Sequence, residues 1–202
     1  MTKTFSILII FLVINITSPW NDKSYKGSGK WIVEKSSSLS IHGETNINSF
    51  QCDATEYMNA DTLSYSLNDV TKKLNFTNSC LRIDIRRFDC HSRLITSDFR
   101  NALKANETPT LKITFLSLDQ FLNASHNQPV NGIVNIELAD VIKRAEVYFT
   151  VRVLAENRVE LEGSHIFSFS DFNLKAPRKM AGLIRTRDKI KVDFQLFFKS
   201  MN

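Results

Sequence analysis

The sequence predicts an all-β protein, a closed antiparallel β-barrel of about eight strands with one short helix, and three observations carry that expectation. Apolar and polar residues alternate through most of the chain, which is the period of a sheet with one dry face and one wet face. Turn-forming residues interrupt the alternation at short intervals. One stretch, Ser97 to Lys104, switches to helical spacing, with Phe99 and Leu103 one turn apart and Ser97 placed to cap the first turn. A sandwich of two sheets is the competing architecture.

Taken in order, Trp31 and Val33 open the first strand within Lys30 to Lys35. In 38–43 Leu39 and Ile41 alternate with Ser38, Ser40 and His42, and in 48–58 Phe50, Cys52 and Ala54 alternate with Gln51, Asp53 and Thr55. The corner between them, Gly43 to Asn48, has a glycine for backbone freedom and asparagines that bond their own backbone. A weak strand over 63–68 and a long one over 72–86 follow. After the helix and Pro109, Leu111, Ile113 and Phe115 resume the alternation, and Asn123 to Asn131, with Pro129, reads as a polar loop. Gly132 leads into Val134, Ile136 and Leu138, then through a turn at Ala139-Asp140 into Ala145, Val147, Phe149, Val151 and Val153. Beyond the turn at 156–158 the inward phase continues as Val159, Leu161, His165, Phe167 and Phe169. Asp171 to Met180 is a connection, and the last strand sets Ile190, Val192, Phe194, Leu196 and Phe198 against Lys191, Asp193, Gln195 and Lys199.

A chain of 202 residues, 43% hydrophobic, suffices for one filled core. The 26 Lys and Arg against 21 Asp and Glu are scattered along polar strand faces, so no nucleic-acid partner is expected. Lys3 followed by the apolar run Phe5 to Ile14 reads as a secretory signal over residues 1–20, with 21–202 as the barrel domain. Thr17-Ser18-Pro19 makes a weak cleavage site, which leaves an uncleaved membrane anchor as the alternative. The expected location is periplasmic or secreted.

Export puts Cys52, Cys80 and Cys90 in an oxidising compartment. With Leu81, Ile83 and Ile85 inward, Cys80 faces the polar side, whereas Cys52 is inward. A phase slip of one residue, a bulge after Arg86-Arg87, brings Phe88 and Cys90 inward as well. A Cys52–Cys90 disulfide with Cys80 spare is therefore preferred, the other reading being three unpaired small residues. The spare thiol leaves a homodimer open.

The order and spacing of several pieces resemble the YceI-like family. They are Ser38 to Cys52, Ser97-Asp98-Phe99 with Pro109 to Phe115, Gly132 to Ile136, and Phe167 to Phe172 before the closing strand. The resemblance implies a lipocalin-like barrel that binds a polyisoprenoid or other long apolar molecule in the bacterial periplasm. Two departures mark a divergent branch. The family's His-Ser pair in the first strand and its Asp-Phe-Gly near the last connection have as nearest equivalents Ser38 to His42 and Asp171-Phe172-Asn173, where the asparagine can adopt a left-handed turn.

The expected function is an exported carrier whose inward residues Phe50, Phe115, Val134, Ile136, Phe149, Val151, Phe167, Phe194 and Leu196 line a tunnel for a hydrophobic small molecule such as an isoprenoid or fatty acid. Packed core is the competing reading for each of them. No cofactor is expected and no enzyme activity is motivated. Carboxylates are absent from the inward strand phase, Cys90 and His91 point to opposite faces, and His42, His91, His126 and His165 lack metal-ligand spacing. The alternative is a cell-envelope interaction module without bound lipid, in which Arg178, Lys179, Arg185 and Arg187 make peripheral contact with acidic lipid headgroups or an acidic partner. Sequons at Asn15, Asn75, Asn106 and Asn123 would carry sugar only in a eukaryotic host.

Overall fold

A computed structural model describes residues 27–54, 57, 59–119, 128–155 and 157–201. The signal expected over residues 1–20 lies outside them, as do most of the 123–131 loop and His126. The strands are β1 (Ser28–Val33), β2 (Ser38–Glu44), β3 (Ser49–Ala54), β4 (Thr62–Asn68), β5 (Lys73–Thr77), β6 (Cys80–Asp84), β7 (Thr110–Asp119), β8 (Gln128–Leu138), β9 (Val141–Ala155), β10 (Arg158–Ser168), two short segments β11 (Arg178–Lys179) and β12 (Ile184–Arg185), and β13 (Lys189–Met201). Eight of them close a ring in the order β1-β4-β5-β7-β8-β9-β10-β13, because β13 pairs back onto β1 at Phe198–Val33. All the pairings are antiparallel. The barrel, not the sandwich, is the architecture.

Closure is achieved by strands that change partner along their length. β13 pairs with β1 at its far end and with β2 over Lys191–Gln195. Between these two contacts the Ser37 hydroxyl accepts from the Phe197 N–H at 2.9 Å and donates to the Phe197 carbonyl at 3.3 Å. The Phe197 carbonyl also accepts from the Glu34 N–H at 2.8 Å, so it is the Phe197 N–H that the side chain saves from being left bare. β7 is shared in the same way, by β5 at Lys73–Asp119 and by β6 at Cys80–Thr114.

That sharing is why the single strand expected over 72–86 is two strands. Asn78, at φ 50°, turns the chain out of β5, and the Ser79 hydroxyl donates to the carbonyls of Thr77 and Ser64 at 2.8 and 3.2 Å. The expected phase slip after Arg86-Arg87 is real, but a 3-10 turn over Ile85–Arg87 produces it rather than a bulge. Asp84 caps this turn, accepting from the Arg86 N–H at 3.0 Å. Phe88 and Cys90 emerge buried, and Cys52 and Cys90 form the disulfide, leaving Cys80 free.

The helix begins earlier than expected. α1 spans Arg93–Ala102, so Ser97 lies inside it and Ser92 holds the N-terminal cap position. Its first turn is fixed by the buried Thr96 hydroxyl, which accepts from the Cys90 N–H at 2.9 Å and donates to Asp89 at 3.2 Å. Pro129 is in a strand, not a loop, because β8 begins at Gln128. Among the described residues β8 pairs at this level only with β9, since its pairing with β7 ends at Leu118–Gly132. A residue without an N–H is tolerated on such an edge. Gly43 is also not a corner residue. It pairs with Phe50 within the β2–β3 ladder, and a Cβ on it would lie 2.2 Å from Phe50 Cζ.

Candidate ligand cavity

The inward side chains form two unlike halves. Around β1, β4 and β5 the interior is filled by rings, with Trp31 centred 5.0 Å from Tyr65, 5.8 Å from Phe76 and 5.4 Å from Phe198. Phe115 closes this cluster at 5.7 Å from Phe76 and 6.4 Å from Phe198. On its other side lies a cavity walled by aliphatic residues of β2, β6, β7, β8 and β13, among them Ile41, Ile83, Ile113, Ile136 and Val192. Phe88 and Leu103, beside α1, and Phe169, Phe172 and Leu174 cover its far end.

The cavity has a volume of about 110 Å³. With so little free volume between facing side chains, the space is a narrow slot. Its polar contributors are few: Ser37, Ser38, Tyr57, His165 and Ser168. Tyr57 turns its hydroxyl away into a cluster that donates to Asp61 and accepts from the Arg82 N–H. Burial first, and then Asp61, push its pKa well above the ordinary phenol range.

Of the nine residues expected to line a tunnel, the structure places seven around this cavity: Phe115, Val134, Ile136, Phe149, Phe167, Phe194 and Leu196. Phe50 does not reach the cavity. Its ring lies over Gly43 and stands edge-on to Phe99 at 6.4 Å, on the cover rather than the wall. Val151 is inward and fully buried, but it lies one pleat beyond Phe149 on the filled side.

His165, inward by strand phase, is a titratable group in the cavity wall. Its inward phase was visible, but it was weighed only as a metal ligand. Its imidazole is 4.4 Å from the Phe167 ring, and burial lowers its pKa against the opposing pull of Asp171. It also sits at a seam. The β9–β10 ladder ends at Phe149–Gly163, whereas β8–β9 continues to Leu138–Val141 and β10–β13 to Ser168–Lys189.

The two other described histidines are on the outer surface, His42 2.9 Å from Asp193 and His91 2.7 Å from Asp53. Among the described residues no group of three His, Cys, Asp or Glu could hold a metal ion. Of the four basic residues named for peripheral contact, Lys179 pairs with Asp98 at 2.6 Å, Arg187 with Glu44 at 2.8 Å, and Arg185 Nε donates to the Gly182 carbonyl at 2.7 Å. Among the described residues no helix is long and apolar enough to cross a membrane.

No family model matches the sequence, and no match is found among curated proteins. Solved structures do match. A polyisoprenoid binding domain from Saccharophagus degradans superposes with a TM-score of 0.61 at 12% identity, covering 86% of this chain and 99% of its own. BcnA from Burkholderia cenocepacia gives 0.54 at 13% identity over 80% of this chain and 95% of its own. The YceI protein of Campylobacter jejuni gives 0.50 at 13% identity over 69% and 80%. The chain has the YceI-like fold. Within this YceI-like barrel the slot between Phe115 and the α1 cover is the candidate site.

Proposed function

We propose that this YceI-like protein is an exported, non-enzymatic carrier that holds a long hydrophobic molecule, a polyisoprenoid or a fatty-acid-like lipid, inside its barrel. The observation that supports this best is the narrow slot lined almost wholly by carbon, in a barrel whose other half is closed by rings. Transfer of an aliphatic chain from water contributes about 0.8 kcal/mol per methylene, so a tail of about ten carbons gains about 8 kcal/mol to set against the costs of association, and a longer chain gains proportionally more. Export to the periplasm or beyond rests on the N-terminal apolar run and agrees with the Cys52–Cys90 disulfide.

The test is native mass spectrometry with lipid extraction on protein purified from its own host. A mass excess that the extract identifies as a long apolar molecule is expected, and Val134→Trp, which puts an indole in the slot, should abolish it. Wild-type protein that carries no such molecule, and takes up none when offered it, would overturn the reading.

A further inference from the structure

We infer that His165 recognises the polar end of the bound molecule, and that this end is a neutral hydrogen-bonding group such as an alcohol or a carbonyl. The inference rests on the carrier reading and specifies its ligand. Four observations carry it. First, His165 is in the wall of a cavity whose other surfaces are almost all aliphatic or aromatic, so it marks one place along the slot where a polar atom can be satisfied. Second, among the described residues neither ring nitrogen has a hydrogen-bond partner, the ring's close neighbour being Phe167. Ser37 differs in this respect, its hydroxyl being engaged by the Phe197 backbone.

Third, His165 follows Gly163, the last residue of β10 that pairs with β9. A chain laid in the slot thus has its tail toward the Phe115 floor and its head where the two strands have parted. Fourth, the charge acting on the imidazole is the Asp171 carboxylate, which is held in place by the Ser168 N–H at 2.8 Å. A second carboxylate at the imidazole would be repelled by it. A neutral imidazole offers one donor and one acceptor, which suits an alcohol or a carbonyl.

The experiment compares dodecanol, dodecanoate and dodecane, which share a tail and differ at the head, in displacing a fluorescent apolar probe at pH 8 from wild type, His165→Leu and His165→Gln. His165→Leu is expected to weaken dodecanol about tenfold, the effect of one hydrogen bond of ordinary strength, while leaving dodecane unchanged. His165→Gln, which keeps a donor and an acceptor, should recover most of the loss, and dodecanoate should bind wild type more weakly than dodecanol. Equal changes for dodecanol and dodecane, or none for either, would overturn the assignment of His165. Dodecanoate binding wild type as well as dodecanol would overturn the neutral head. Failure of all three ligands to bind wild type would instead sink the carrier reading beneath it.

Discussion

The filled and hollow halves of the barrel follow the same inward phase but are lined by largely different strands, and they are held together differently. In the filled half Trp31, Tyr65, Phe76, Phe115 and Phe198 touch one another across the interior, so packing itself braces the wall. In the hollow half branched aliphatic side chains face a slot, and the bracing is moved to the rim. There the Cys52–Cys90 disulfide joins β3 to the segment after β6. Beside it Asp53 and Asp89 exchange backbone hydrogen bonds at 2.8 and 2.9 Å. Tyr57 and Asp61 hold the backbone of Arg82, with Arg82 Nη1 2.8 Å from Asp61. A barrel that keeps an opening for a guest gives up cross-core contact and recovers stability at its periphery.

The largest expected effect separates the halves directly. Trp31→Ala should cost about 4 kcal/mol in urea unfolding, because a fully buried ring leaves a void that its neighbours cannot fill. Ile113→Ala should cost only about 2 kcal/mol, at the low end for such a truncation, since one side of Ile113 already faces free space. Equal losses would mean that the slot is packed in solution. Next in size is the rim. Cys52→Ser with Cys90→Ser removes a crosslink across a sequence separation of 38 and should cost about 3 kcal/mol, read as a lower urea midpoint that reductant reproduces in wild type.

A smaller effect lies on the outer wall, where Glu160 is almost fully buried beneath Arg152 at 2.7 Å and Gln195 at 2.6 Å. The Arg152 hydrogen bond outweighs burial and holds the Glu160 pKa below its ordinary value of 4.5. A lowered folded pKa means that the carboxylate contributes stability in full above about 4.5, and that this is lost as pH falls through the folded value. Glu160→Ala should therefore cost about 2 kcal/mol at pH 7 and much less at pH 3. A difference that stays unchanged from pH 7 down to the onset of acid unfolding would show that the pair contributes nothing through charge.

Strand phase was legible in the sequence, and with it the barrel and the cysteine pair, because alternation decides which side chains face one another. What alternation does not encode is where a ladder changes partner. Nothing in Lys73 to Asp84 but Asn78-Ser79 signals that β7 is shared between two strands, and Ile95 and Thr96, β-branched residues, disguised the start of α1. Phase is equally blind to the difference between wall and filling. Val134 and Val151 are both inward valines, yet one lines the slot and the other lies beyond it, because the rings on distant strands decide where the interior is full. Phe50 was misplaced for a local reason, the absent Cβ of Gly43 that lets its ring fold back over β2. The role of His165 was missed because histidines were judged by spacing to one another rather than by what surrounds them.

The most direct measurement is a crystal structure of the protein purified from its own host. Elongated electron density running from the Phe115 ring toward His165, with the Trp31 cluster closed behind it, is the expected result. A slot shut by repacked side chains, with no density between Ile113 and Val192, would contradict a carrier.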